Sequence, residues 1–301
     1  MGDAKTVLLG LLVLLSGAFA IAWGARLRRP DPASGGDESV PTAPTATSLA
    51  VGALTNFLDT LGVGSFAPTT WLFRSFGIVP DRLLPGTLNV GHALPSVAQA
   101  LVFIAIVEVE TTTLALMIAA AVAGAWLGAR VVAGWSRRRV QLGMGLALLV
   151  ASALLARQIA LGAPTGADAL GLGGAKLVVG IVGNFVLGAM MTIGVGLYGP
   201  CMILVSLLGM NAKAAFPIMM GSCAFLMPIA GLRFIERRAY APGVALGLTI
   251  GGIPAVLVAA FIVRSLPLDT VRLLVLGVAL YTAASLLWAS TRNETVAPVS
   301  E

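Results

Sequence analysis

Apolar residues fill this chain in long runs and show neither the alternation of a half-buried strand nor the stripe of a surface helix. Stretches without a single charged residue cover 6–25, 83–107, 111–129, 140–156, 177–212, 214–232, 239–263 and 273–291. About 20 apolar residues carry a helix across the hydrocarbon core of a bilayer, and 18 or more with few charges mark a candidate span. The polar segments in between are too short to make a separate soluble domain. The pattern predicts an all-α polytopic membrane protein with seven to nine transmembrane helices.

Composition sharpens that picture. Of 301 residues, 58% are hydrophobic and 11% charged, where a soluble domain carries about a quarter of its residues as charges. The 36 glycines suit helices that approach closely, because lipid supplies no hydrophobic drive between them. The net charge of +6 sits in short loops, so it reads as topology information and not as a nucleic-acid footprint. Cys201 and Cys223 both fall in apolar runs and offer neither a disulfide framework nor metal-ligand spacing. No metal, cofactor or nucleic-acid partner is expected.

The first 25 residues admit two readings. Ala18-Phe19-Ala20 resembles a signal-peptide cleavage site, but a signal peptide carries its positive charge ahead of the apolar run. Here Lys5 stands alone in front, whereas Arg26, Arg28 and Arg29 follow. That asymmetry favours an uncleaved anchor with the N-terminus outside. The expected organisation is an anchor helix and basic flank at 1–29 and a disordered linker at 30–47, rich in Pro, Ser, Thr and Asp. A membrane unit follows at 48–161, a connecting loop at 162–173, a second unit at 174–290 and a tail at 291–301.

The two units repeat. Gly52, Asn56 and Phe57 align with Gly180, Asn184 and Phe185. After four inserted residues, Thr60, Gly62, Val63, Gly64 and Pro68 align with Thr192, Gly194, Val195, Gly196 and Pro200, and Pro85 with Pro217. Four residues make about one helical turn, so the insertion keeps the same face forward. In each copy an apolar helix runs into Gly-Val-Gly and then a proline. Glycine permits the dihedrals of a break, and proline is favoured at the first position of the next helix. Each motif therefore predicts a discontinuous helix, although glycines that merely kink a packed helix are the plainer alternative for either motif alone. Matched interruptions in corresponding halves point to a transporter binding site.

Two topologies follow. If the broken segments cross fully, the chain has nine spans, the repeats are parallel, and Lys plus Arg divide 9 inside to 10 outside. If each turns back at its Gly-Val-Gly, the repeats are inverted and the division is 13 to 6, with Arg137-Arg138-Arg139 on the cytoplasmic side as the positive-inside rule requires. The inverted arrangement, with a cytoplasmic C-terminus, is preferred. The apolar run at 177–194 is its weak point, being long enough to cross unaided.

The run Asn56-Phe57-Leu58-Asp59-Thr60-Leu61-Gly62-Val63-Gly64-Ser65-Phe66-Ala67-Pro68-Thr69-Thr70, followed by Pro85-Gly86-Thr87-Leu88-Asn89-Val90-Gly91-His92, resembles the TauE/SafE sulfite-exporter family, also called the toluene-sulfonate uptake permeases. The likeness covers about residues 48–290. It implies a permease of the bacterial inner membrane for a small anion such as sulfite, a sulfonate or a related organic acid. Leu-Asp-Thr-Leu-Gly-Val-Gly-Ser stands where a more glycine-dense run is expected, so the substrate is open.

Candidate chemistry clusters at the breaks. A helix N-terminus inside the bilayer offers about half a positive charge and free N–H donors, which would hold an anion without Lys or Arg. Gly62, Gly64 and Pro68 in the first copy, and Gly194, Gly196 and Pro200 in the second, frame those N-termini. Ser65, Thr69, Thr192 and Tyr198 are candidate hydroxyl donors, against the alternative of bonds to their own helix backbone. Asn56 and Asn184 hold matching positions before the breaks. Asp59 is an acid inside an apolar segment, at an insertion cost of roughly 2.5–3.5 kcal/mol near a helix centre, so it calls for a partner, a cation or a proton. His92, the single histidine, is its natural candidate partner in a proton or cation coupling role, against the alternative that Asp59 caps a helix break and His92 bonds a carbonyl.

A divalent-metal permease would need more facing ligands than Asp59 and His92, and an enzyme would need a nucleophile with a base or a metal cluster. No such motif occurs, so no catalytic activity is expected. The leading expectation is export of a small anion through a central site. Proton- or sodium-coupled uptake and a non-transport assembly factor are the alternatives. The expected partners are that anionic solute and the lipid bilayer, with homo-oligomerisation left open.

Overall fold

The computed structural model describes residues 2–28, 41–132, 136–161, 169–192 and 196–291, and its regular secondary structure among them is helical apart from one isolated bridge between Ala169 and Met210. The helices are α1 (Gly2–Leu27), α2 (Ala46–Thr60), α3 (Phe66–Ser75), α4 (Leu84–Gly91), α5 (Ala93–Ile106), α6 (Thr111–Val132) and α7 (Arg137–Ala160). They continue as α8 (Gly174–Met191), α9 (Tyr198–Leu207), α10 (Ala215–Glu236), α11 (Pro242–Ser265) and α12 (Leu268–Thr291). Short 3-10 turns at Asp81–Leu83 and Ala212–Ala214 lead into α4 and α10. Among the described residues, seven helical segments are long and apolar enough to cross a bilayer: α1, the unit Asp81–Ile106, α7, α8, the unit Ala212–Glu236, α11 and α12. The chain is a helical, multi-pass membrane protein.

The apolar run 83–107 is not one straight rod. It bends at His92, where α4 ends and α5 begins, and Pro95 sits in the first turn of α5. The first turn of a helix has spare N–H groups, so a proline there removes no helical bond. The same tolerance explains Pro68 and Pro200. Each is the third residue of its helix and not the first, because α3 starts at Phe66 and α9 at Tyr198.

Residues 30–40 of the expected linker lie outside the described residues, as do 162–168 of the connecting loop and 292–301 of the tail. The last part of the linker is fixed in place. The Thr45 side chain accepts from the Ser48 N–H while the Ser48 side chain accepts from the Thr45 N–H, a capping box that starts α2 at Ala46. The connecting loop is likewise tied down at its end: the Glu110 N–H donates to Leu170 O (2.7 Å) and the Leu172 N–H to Thr113 Oγ1 (2.9 Å). The Thr113 hydroxyl also donates to the Glu110 carboxylate and holds it below the ordinary carboxyl range.

Close backbone approach binds the bundle. Along α2 and α11, Gly247 faces Ser48, Gly251 faces Leu49, and Gly52 faces Leu248. Along α6 and α8, Gly124 faces Phe185 O and Gly188 faces Ala121 O. A Cβ added at Gly188 would stand 2.0 Å from that oxygen, so only glycine allows the crossing. α9 folds back along α8, with Gly183 against Leu204 and Gly180 against Leu208. α3 folds back towards the start of α2 and α11, where Phe73, Val51, Val244 and Leu248 share a buried cluster. The middle of the bundle lies between α5 and α10, with Phe103 stacked on Phe216 at 5.2 Å.

Candidate functional site

Both interruptions form, and they meet. α2 ends at Thr60, Gly62 and Gly64 take left-handed backbone angles (φ 97° and 88°), and α3 restarts at Phe66. Those angles favour glycine because a Cβ would crowd the following carbonyl. At the second interruption α8 ends at Met191 and α9 restarts at Tyr198. Gly194 and Val195 lie outside the described residues, while Gly196 is described with open space around it. Gly62 of the first break packs against Met202 of α9, with Met219 of α10 beside it.

A buried hydrogen-bond network joins the two breaks. Gln99 on α5 stands at its centre. Its Nε2 donates to Asp59 Oδ2 (2.8 Å) and to Thr60 Oγ1 (3.1 Å). The Tyr198 hydroxyl, at the start of α9, donates to Gln99 Oε1 (3.0 Å). Thr60 passes its own proton to Asn56 O (2.8 Å). That donation leaves the Thr60 oxygen free to accept, so the amide face of Gln99 must be Nε2. The hydroxyl and backbone N–H of Ser65, just ahead of α3, turn towards the Asp59 carboxylate, as does the Tyr198 hydroxyl. Ser96 and Cys223 complete the surroundings of the Tyr198 oxygen. Asp59 is only 3% exposed, and Gln99 and Thr60 are fully buried.

His92 belongs to an adjoining chain of bonds. Asn56 Nδ2 donates to Gly52 O (2.7 Å), which turns its Oδ1 towards His92 Nδ1 (3.0 Å). His92 therefore carries its proton on Nδ1. Its Nε2 lies 3.1 Å from Thr69 Oγ1, and that hydroxyl is also 2.7 Å from Ser65 O. Thr69 has one proton for two acceptors. With a neutral imidazole the proton goes to Nε2; with an imidazolium, Nε2 donates and the Thr69 proton goes to Ser65 O. The Thr69 hydroxyl thus stands between His92 and the first turn of α3. The direct Asp59–His92 pairing expected above is not formed, since Asn56 and Thr69 take both ring nitrogens and Gln99 takes the carboxylate.

The remaining candidates divide. Thr192 bonds its own helix at Ala189 O (2.6 Å), the outcome its position allowed. Asn184 staples α8 to α6 and α10, donating to Met117 O (2.7 Å) and Ser222 Oγ (3.2 Å). Its buried Oδ1 has no hydrogen-bond partner among the described residues. Pro68 and Pro200 shape the first turns of α3 and α9 without a polar contact of their own. Among the described residues, no three His, Cys, Asp or Glu side chains gather as a metal site would need.

Gln99 went unnoticed in the sequence, as did Ser96, whose hydroxyl donates to Met227 Sδ (3.3 Å). The available signal was an amide within the charge-free run 83–107, because a polar side chain at that depth needs a partner. No family model matches the chain, and no curated protein or solved structure matches it.

Proposed function

We propose that the chain is a permease for a small anion such as sulfite, a sulfonate or a related organic acid, built from two inverted repeats in the manner of the TauE/SafE family and working in a bacterial inner membrane. One observation carries this reading. Tyr198 from the second break, Gln99 from α5 and Asp59 from the first break form a single buried polar network, where a packed structural bundle would have apolar contacts. The inverted arrangement is supported by the way α3 and α9 each fold back along the helix before the break, and by the matching pairs α2 with α11 and α6 with α8. The N-terminus would lie outside and the C-terminus in the cytoplasm, which keeps the arginine-rich loops inside.

In this reading the anion binds where the N–H groups of the α3 and α9 first turns are unpaired. An inside-negative potential is worth about 2.3 kcal/mol per charge per 100 mV and favours anion exit, so export needs no coupling ion.

A second reading, proton-linked uptake, draws on the position of Asp59. Its carboxylate faces the Ser65 N–H and hydroxyl at the start of α3, which is where a substrate anion would dock. Carboxylate and substrate would compete for the same donors. Adding a proton to Asp59 removes that competitor and cancels the charge of a monoanion, so the membrane potential no longer opposes entry.

Counterflow in proteoliposomes tests both readings. Saturable exchange of sulfite, sulfonates or simple carboxylates supports the permease, and folded protein that moves none of them over background overturns it. Asp59→Asn then separates the two. Under proton-linked uptake, transport by the native chain accelerates as the pH on the substrate side falls, and the variant loses that dependence. Under plain export the two profiles coincide.

A further inference from the structure

The anchor helix leaves an amphipathic groove that the transport reading does not use. α1 seats Phe19 against Gly231 of α10 and stacks Phe19 beside Trp23 at 5.8 Å. One turn further on, the two helices part around a cavity of about 220 Å³ lined by Ala22, Arg26, Leu232, Ile235 and Glu236. The walls are apolar, and the two charged side chains carry opposite signs. Among the described residues neither Arg26 nor Glu236 forms an ion pair. Tyr240 faces Trp23 and Arg26 from the turn after α10.

The groove lies at the ends of two candidate membrane spans, where a water boundary is expected. α1 ends at Leu27 after a 23-residue apolar span, and α10 ends at Glu236. Arg233 and Arg237 flank the end of α10. Trp and Tyr gather at this level of a bilayer, and basic pockets between transmembrane helices take lipid head groups.

We propose that this groove binds a phospholipid with a zwitterionic primary-amine head group, a phosphatidylethanolamine, its phosphate on Arg26 and its ammonium on Glu236. One positive and one negative side chain, without an ion pair among the described residues and facing one cavity, match a head group that carries both charges. A purely anionic head group would leave Glu236 opposed to it. A quaternary ammonium has no N–H to donate to the Glu236 carboxylate. Ala22, Leu232 and Ile235 would lie against the glycerol and the first methylenes of the chains.

Native mass spectrometry of the detergent-purified full chain, titrated with phosphatidylethanolamine, phosphatidylcholine or phosphatidylglycerol of identical acyl chains, tests this. The expected result is retention of phosphatidylethanolamine about fivefold above the other two, the size of one charge interaction near a membrane surface. Glu236→Gln should abolish that preference and leave the three lipids equal. Arg26→Ala should weaken all three, and Arg26→Lys should restore them. Lipid-free melting temperatures identify any variant that has lost its fold, in which case Glu236→Gln decides alone. Equal retention of the three lipids by the native chain, or an unchanged preference in Glu236→Gln, overturns the proposal.

Discussion

The two interruptions share an outline, a helix end followed by a restart with proline third in the new helix, and differ in chemistry. Around the first stand Asp59, Thr60, Ser65, Thr69, His92 and Gln99, buried and joined by hydrogen bonds. Around the second stand Met190, Met191, Leu197, Cys201, Met202 and Cys223, with the Cys223 thiol 3.8 Å from Met191 Sδ. Among the described residues, Tyr198 alone brings a polar atom from the second break into the network. The polar chemistry therefore gathers at the first interruption and not at the second. The reason is energetic. A break costs little once glycine and proline are in place, whereas each buried polar group needs its own partner or costs about 1–3 kcal/mol. One complete network is cheaper to maintain than two.

Substitutions can break this asymmetry in graded steps. Gln99→Leu removes the amide that bridges the Asp59 carboxylate and the Tyr198 hydroxyl, and losing a buried hydrogen bond to a charged group costs about 1.5–3 kcal/mol. Thermal unfolding in detergent should show the largest loss here, and a native-like melting curve would mean that water takes over the amide's role. Gly62→Ala comes next. The residue would adopt a left-handed φ with its Cβ 2.6 Å from Met202 Sδ, a strain of about 1–3 kcal/mol.

The matched Gly196→Ala change places its Cβ in open space. It should stay within about 0.5 kcal/mol of the native chain in the same melting assay, as surface substitutions away from special features do. Equal losses at Gly62 and Gly196 would erase the contrast between the two breaks. Tyr198→Phe removes one hydroxyl and should cost about 0.5–1.5 kcal/mol, while lowering anion counterflow more than Cys201→Ala does. The smallest effect belongs to Thr192→Val, whose hydroxyl bonds its own helix at Ala189. Counterflow should be unchanged, and a clear loss would bring Thr192 into the site.

Much of this contrast was legible in advance because it rests on local signals. Gly62, Gly64 and Pro68 announce a break through their own backbone limits, and Asp59 announces a partner through the cost of a charge in an apolar run. The partner itself was misread. His92 was the natural choice as the single histidine, yet the turn between α4 and α5 points its ring at Asn56 and Thr69. Gln99 lies two turns further along and reaches Asp59 across 40 positions of chain. No periodicity records such a meeting, because the distance between side chains on different helices depends on crossing angle and register.

Hydropathy alone was enough to establish a helical membrane protein, since backbone groups inside lipid must bond within their own helix and apolar length reports a span directly. Glycine and proline located the two interruptions for the same local reason. Packing decided the rest. The Gly247–Ser48 and Gly188–Ala121 contacts set how closely the helices cross. Those crossings bring Tyr198, Gln99 and Asp59 onto one line of hydrogen bonds, and they leave the charged groove between α1 and α10 open. Both outcomes depend on contacts between residues far apart in the chain, which one-dimensional patterning does not carry.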